Sequence, residues 1–343
     1  MHRVVAFNCA AHRDRLAELS RGLPVETSHV DYQLPWQAVA ARRAGVVADA
    51  EPVAPAVRAV LAPAEVVFGF ALPARLTALA PRLRWVETPA TGYDQLFGTG
   101  VLDGEIAVTT VGGLFAPWVA EHVFALLFAL ARRLGHFRAA QERREWSPAV
   151  VRELHGATIG IVGLGNIGQA VARAAQAFGM RVIGVRRRVE PVPAVDRVYG
   201  SEALDEMLAA ADVVVIAVTG TAETASMIGA RQLEVMKRDA YLVNVARGIV
   251  LDEAALAAAL ARGHLGGAAL DAFVDEPLPP ASPLWSLPNV IVTPHIAPNV
   301  GAKLARCVEH FADNLVRFCN GEPLRDQVRL AAATRCAAGS APR

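Results

Sequence analysis

The stretch ATIGIVGLGNIGQAVARAAQAFG, Ala157 to Gly179, constrains the fold more than any other part of the chain. An apolar run of buried-strand length meets a glycine turn, and the turn opens directly into a helix of small residues that closes at Gly179. Inside it, GLGNIG has the spacing G-x-G-x-x-G. Gly163 is expected to make the tight turn, Gly165 to let a phosphate approach the backbone, and Gly168 to let helix and strand pack closely. The helix N-terminus then offers unpaired N–H groups and the positive end of its dipole to phosphates. The spacing alone also fits a glycine turn with no ligand; the strand before it and the helix after it supply the context a dinucleotide needs.

The next strand, RVIGV, runs straight into Arg186, Arg187 and Arg188. An NAD site places a carboxylate at that strand end to hold the ribose hydroxyls. An NADP site needs a cation there, because a carboxylate would repel the 2′-phosphate. Arg186 stands where the acid is expected, and a guanidinium can hold a phosphate through two hydrogen bonds. NADP is therefore the expected cofactor. NAD remains possible if the arginines are only a solvated basic loop.

A chain of 343 residues has room for two domains of ordinary size. Hydrophobic residues at 53% and a net charge of +1 give no global attraction to nucleic acid or to an anionic membrane surface. Cys9, Cys307, Cys319 and Cys336 form no CxxC pair, so free thiols are expected rather than a disulfide frame or a metal site. The most apolar helix, VAEHVFALLFALARR, carries Glu121 and His122 and falls short of a membrane span, and the protein is expected to be cytoplasmic.

Strands are expected at RVVAF, AGVVA, AEVVFGF, RWVET and IAVTT in the first third, followed by a long helix over Ala116–Arg133. After REWSP a second series follows: the glycine-turn strand, RVIGV, DVVVIAV, AYLVNVA, GGAALDA and NVIVT, alternating with helices. Alternation of this kind predicts α/β architecture with doubly wound parallel sheets. A last amphipathic helix, NVGAKLARCVEHFADNLVRFCNG, precedes an Ala-rich tail over 331–343 that is expected to fray.

Four charged residues fall at strand ends in the second half: Arg247 in LVNVARGIVLDE, Asp271 and Glu276 in AALDAFVDEP, and His295 in VIVTPHIAP. That edge of an open parallel sheet is where ligands bind. Arg247 can pair with a carboxylate and polarise an adjacent carbonyl. His295 is an acid–base group near neutral pH. Glu276 would orient the imidazole and favour its charged form. Taken singly, each has a structural alternative: a helix-end cation, a solvated loop acid, a satisfied turn histidine.

From TPATGYDQL to TPHIAP the chain resembles the D-isomer-specific 2-hydroxyacid dehydrogenase family. The segments VAEHVFALLFALAR, GIVGLGNIGQAVA, TAETASMIGARQLEVMK, LVNVARGIVLDEAAL, GGAALDAFVDEPLPPASPLW and LPNVIVTPHIAP occur in family order. The resemblance implies a Rossmann cofactor domain over 113–297, inserted into a flavodoxin-like substrate domain made of 1–112 and 298–330, with a cleft that closes on substrate. It further implies that Arg247 binds substrate, that His295 is the proton donor and acceptor, and that Glu276 is its partner. Thr91 and Gly92, in ATGYD, would present backbone N–H groups to the substrate carboxylate. Asn166 and Ile167 would sit on the phosphates, Asp271 at the nicotinamide amide, and Thr219, Val245 and Ala246 along the same dinucleotide. Family members are usually homodimers joined through the cofactor domain and its long helix.

Two features depart from the family pattern: the sequence after IAVTT, and Thr219–Gly220 where members often carry proline. They bear on the substrate loop and the adenine pocket. The reading implied is reduction of a small 2-oxo acid, such as glyoxylate or hydroxypyruvate, by NADPH. Its rivals are a dehydrogenase for a larger D-2-hydroxy acid and a dinucleotide-sensing, corepressor-like binding protein that keeps the same residues.

Overall fold

Strand β1 (His2–Phe7) begins the first of two parallel sheets in the computed structural model, which describes residues 1–32, 34–43 and 53–328. The chain divides into two units, Met1–Leu114 with the residues from Val300 onward, and Phe115–Asn299.

In the first unit β1 is joined by β2 (Val25–Val30), β3 (Val66–Phe68), β4 (Trp85–Glu87) and β5 (Ala107–Thr109). Their order is β2-β1-β3-β4-β5 with parallel pairing throughout, the flavodoxin-like arrangement. Central strands are apolar on both faces because both are covered: Val4, Val5, Val66, Val67, Phe68 and Val86 are all buried. The edge strand β2 reads VETSHV and is only half-buried, so apolar runs do not reveal it. The strand expected at AGVVA falls outside the described residues, as does the tail 331–343.

The helix Lys303–Asn320 belongs to this unit. It seats Phe311 on Phe68 and Trp85 at ring separations of 4.6 and 5.1 Å, and Phe318 on Trp85 at 5.5 Å. Gly321, at φ 71°, ends it in the left-handed conformation. The chain then covers the free edge of β5: Thr110 N–H donates to the Asp326 carbonyl at 3.2 Å and Val328 N–H to the Val108 carbonyl at 2.8 Å.

Beneath that cover lies a buried polar cluster. The Glu87 carboxylate accepts from Thr109 and Asn314 at 2.8 Å each and meets His310 Nδ1 at 3.0 Å. His310 Nε2 meets Asp326 at 3.0 Å. One imidazole thus ties the helix, the end of β4 and the edge-covering segment together.

The second unit holds β6 (Thr158–Val162), β7 (Arg181–Val185), β8 (Arg197–Tyr199), β9 (Val213–Ile216), β10 (Tyr241–Asn244), β11 (Gly267–Leu270) and β12 (Val290–Val292). The order is β12-β11-β10-β9-β6-β7-β8, a parallel sheet of the Rossmann type with one further strand. The winding reverses between β6 and β9, which opens a crevice beyond their carboxyl ends. The fold is therefore the expected pair of doubly wound parallel sheets. The short β8 was not anticipated. The long helix covers Ala116–Ala131 and stops two residues earlier than expected, because Arg133 turns left-handed at φ 52°. No helix among the described residues is long and apolar enough to cross a membrane.

The buried cluster predicts how stability varies with pH. Burial disfavours the charge on His310, but the hydrogen bonds and charges of Glu87 and Asp326 outweigh it and raise its pKa to about 8. The stabilisation is complete below the unfolded value near 6.5 and is lost as pH rises through about 8, a change on the order of 2 kcal/mol. Urea unfolding should show that loss between pH 6 and 9, and His310→Gln should flatten it; an unchanged slope in the variant would contradict the assignment.

Candidate active site

The glycine turn separates two demands. Gly163 has φ 101°, and a Cβ there would stand 2.8 Å from the Ala217 carbonyl oxygen. A Cβ on Gly168 would fall 2.0 Å from the Gly163 carbonyl oxygen. Both glycines are therefore required by the packing of the chain itself. Gly165 is different, because a Cβ there meets nothing within 4 Å. It precedes the helix Asn166–Ala177, whose first-turn N–H groups, Asn166 and Ile167 among them, have no acceptor within the helix. Open space over unpaired donors fits a pyrophosphate.

The remaining expected dinucleotide residues follow along the same sheet edge. Arg186 comes directly after β7 and its N–H donates to the Tyr199 carbonyl at 3.1 Å; Arg187 and Arg188 are exposed. Thr219 is exposed beyond β9, while Val245 and Ala246 are buried beyond β10.

Arg247 leaves β10 through a tightly bonded turn. The buried Asn244 side chain accepts from Ala246 N–H at 3.0 Å and donates to the Arg247 carbonyl at 3.3 Å. Arg247 Nη1 donates to the Ala246 carbonyl at 2.8 Å. The aliphatic stem passes so close to Gly220 that a Cβ there would lie 2.8 Å from Arg247 Cγ. The stem thus occupies the space that a side chain at position 220 would need. Gly248 is equally constrained, since its Cβ would strike the Phe273 carbonyl carbon at 1.9 Å.

Asp271, at the end of β11, is 1% exposed. Its Oδ1 accepts from Thr293 Oγ1 at 2.6 Å and Ile296 N–H at 2.9 Å, and its Oδ2 from Ala297 N–H at 2.9 Å. His122, from the long helix, reaches Thr293 Oγ1 at 3.2 Å and Asp271 Oδ1 at 3.4 Å. Burial pushes the Asp271 pKa up, but the bonds from His122, Thr293, Ile296 and Ala297 prevail and hold it below the usual carboxylate range. The carboxylate thereby staples the turn that carries His295, whose φ of 54° is uncommon for a residue with a side chain.

His295 Nδ1 lies 2.7 Å from Glu276 Oε1, and both side chains are largely shielded, at 17% and 11% exposure. Oε1 also accepts from Phe273 N–H at 3.2 Å. Glu253 secures the same loop by accepting from Val274 N–H at 2.6 Å. Its own pKa is raised, first by burial and then by the charges of Asp275 and Glu276, against the Val274 bond. An ionised carboxylate can only accept, so the proton of a neutral His295 resides on Nδ1. Nε2 has no partner among the described residues.

Thr91 and Gly92 belong to the first unit, on the loop that follows β4. Thr88 N–H and Ala90 N–H are bonded, to the Thr109 and Thr88 carbonyls at 3.0 and 2.8 Å, and Pro89 has none. The N–H groups of Thr91, Gly92 and Tyr93 meet no acceptor among the described residues.

Sequence reasoning singled out Arg247, Asp271, Glu276 and His295 but passed over His122, Asn244, Glu253 and Thr293. Asn244 had a signal, an amide inside an apolar strand. His122 was read only as evidence against a membrane helix.

A parallel sheet reversing at a glycine turn, with a histidine–carboxylate pair and an arginine on the same edge, defines a dinucleotide-dependent enzyme of acid–base chemistry. The family model for the NAD binding domain of D-isomer specific 2-hydroxyacid dehydrogenases matches residues 124–297. A glyoxylate reductase of Korarchaeum cryptofilum is 40% identical over 259 residues, covering 71% of this chain and 75% of that one. A D-isomer specific 2-hydroxyacid dehydrogenase family protein from Aeromonas salmonicida superposes with TM-score 0.80 at 32% identity, over 96% of this chain and 99% of its own. A D-isomer specific 2-hydroxyacid dehydrogenase from Xanthobacter autotrophicus, solved with NADPH and MES, gives 0.77 at 28% identity, covering 96% and 98%. The chain belongs to the D-isomer-specific 2-hydroxyacid dehydrogenase family and is an NAD(P)-dependent oxidoreductase acting on 2-hydroxy acids.

Gly165→Ala should leave the melting temperature unchanged, since the new methyl meets no protein atom, yet weaken NADPH binding at least about tenfold. Gly168→Ala should lower both stability and binding. Parental NADPH affinity for Gly165→Ala, measured by fluorescence titration, would show that the space is not the pyrophosphate's.

Proposed function

We propose that the protein reduces a small 2-oxo acid, glyoxylate or hydroxypyruvate, with NADPH as the preferred donor. The observation that carries this reading is the 2.7 Å contact of His295 with Glu276 on the sheet edge that also presents Arg247. The curated relative from Korarchaeum supports the substrate, and Arg186, Arg187 and Arg188 together with the NADPH-bound Xanthobacter relative support the cofactor.

Gly165, Asn166 and Ile167 would hold the pyrophosphate in the turn that Gly163 and Gly168 shape, Arg186–Arg188 would hold the 2′-phosphate, and Thr219, Val245 and Ala246 would flank the same dinucleotide. The bound dinucleotide supplies a hydride to the carbonyl carbon. Arg247 takes the substrate carboxylate through paired hydrogen bonds and draws charge toward the carbonyl oxygen. Thr91 and Gly92 N–H groups are further donors to that carboxylate. His295 gives its Nε2 proton to the carbonyl oxygen. Before transfer Glu276 stabilises the imidazolium; afterwards it keeps the remaining proton on Nδ1, so Nε2 is free to be reprotonated from solvent. Asp271 serves the site by holding the His295 turn in place.

Two side proposals rest on separate observations. Trp146 at 96% and Val150 at 90% exposure are apolar side chains that the second unit leaves uncovered, and a homodimer would bury them. The free, buried thiols of Cys9 and Cys307 suit the reducing cytoplasm.

The test is turnover of glyoxylate, hydroxypyruvate, pyruvate and a branched 2-oxo acid with NADPH and NADH in parallel. A preference for NADPH with a small acid is expected, and His295→Ala should lower kcat by about 10²–10⁴-fold while NADPH affinity stays within about threefold. Equal or better use of NADH would reject the arginine assignment, and a branched acid as best substrate would point to a larger D-2-hydroxy acid. Dinucleotide binding without turnover of any acid would indicate a sensor instead.

A further inference from the structure

Gln95, one residue into the 3-10 turn Asp94–Leu96, is 1% exposed. Its amide nitrogen donates to Thr88 Oγ1 at 2.7 Å and to the Gly92 carbonyl at 3.1 Å. Its Oε1 is buried and has no partner. A buried acceptor left without a donor is costly, so the feature needs an explanation. Turning the amide over would set its oxygen against the Gly92 carbonyl oxygen, and the observed orientation is the one that gives both N–H groups an acceptor.

Those two bonds grip the loop whose backbone donors stand open. The Thr88 end is already fixed by its N–H bond to the Thr109 carbonyl, and Val111 N–H holds the Ala90 carbonyl at 3.1 Å. Beyond Ala90 the Gln95 contact is the one that reaches the Gly92 carbonyl, while Leu96 N–H holds the Tyr93 carbonyl at 2.9 Å. In a trans peptide the C=O and N–H point opposite ways. Turning the Gly92 carbonyl onto Gln95 therefore sends the Tyr93 N–H to the other side. It is left without an acceptor, as are the N–H groups of Thr91 and Gly92 before it, so three successive backbone donors of this loop stand open to an anion.

We propose that Gln95 is a positioning residue for substrate: by fixing the Gly92–Tyr93 peptide it aligns the N–H groups of Thr91, Gly92 and Tyr93, the last as a third donor, toward the carboxylate of a 2-oxo acid. This rests on the reading of the protein as a 2-oxo acid reductase. It acts on substrate affinity, and not on the dinucleotide or on proton transfer at His295. The side chain at 95 must carry N–H donors. A methionine of similar volume leaves the peptide free to rotate, and an ionised glutamate repels both the Gly92 carbonyl and the incoming carboxylate.

The experiment is steady-state kinetics with glyoxylate and NADPH for the parent, Gln95→Met and Gln95→Glu, with melting temperatures alongside. Gln95→Met should raise the glyoxylate KM at least about tenfold, with kcat and the NADPH KM within about threefold of the parent. Gln95→Glu should raise it further at pH 8 and recover part of the loss, relative to the parent, at pH 5.5, where a protonated carboxyl can donate to Gly92 again. A parental glyoxylate KM in Gln95→Met overturns the proposal alone. So does a rise in both KM values together with a lowered melting temperature, which marks a merely structural role. Failure of the parent to saturate with any 2-oxo acid overturns the underlying reading and this proposal with it.

Discussion

In the proposed mechanism the hydrogen bond between Glu276 and His295 Nδ1, 2.7 Å long, is the interaction on which proton transfer depends. It decides which nitrogen keeps its proton and which one exchanges it. The surrounding contacts keep the two groups at that distance. Phe273 N–H and Glu253 hold the loop that bears the carboxylate, and Asp271 holds the turn that bears the imidazole. The positive φ of His295 persists because three donors to a single buried carboxylate, Thr293, Ile296 and Ala297, leave the turn no alternative.

The sheet order explains why these groups share one edge. Parallel strands deliver every carboxyl end to the same side, so residues scattered from 163 to 295 in sequence meet along one line. Between β6 and β9 the winding changes direction, and that is where the glycine turn sits. Its three glycines divide the work between internal packing at 163 and 168 and open space at 165. Gly220 and Gly248 extend the same logic to Arg247, whose stem and turn run where any side chain would collide.

How much of this could be read from the chain depends on what each residue had to signal. The glycine spacing, the apolar strands of the second unit, and the Arg247, Glu276 and His295 positions were legible because each sits in a recognisable place: a turn after a strand, or a charge where a strand runs out. β2 was not, because an edge strand half-open to solvent alternates polar and apolar residues without an apolar run. β8 is three residues long and offers no period. The supporting polar groups were harder still. Asn244, His122 and Gln95 work through backbone and side-chain atoms that come close only once the chain has folded. Nothing in AEHVF states that His122 will reach Thr293, and nothing in GYDQL states that Gln95 will turn back to Gly92.

The central claim is that Glu276 keeps one proton of His295 on Nδ1, so that Nε2 is the nitrogen that gains and gives up the transferable proton. Nitrogen-15 NMR of protein labelled at histidine, with His295 assigned by comparison with His295→Ala, tests it directly. The account predicts that neutral His295 is the Nδ1–H tautomer, with Nε2 shifted as an unprotonated ring nitrogen. A predominant Nε2–H tautomer, or one that does not change when Glu276 is replaced by alanine, would contradict it.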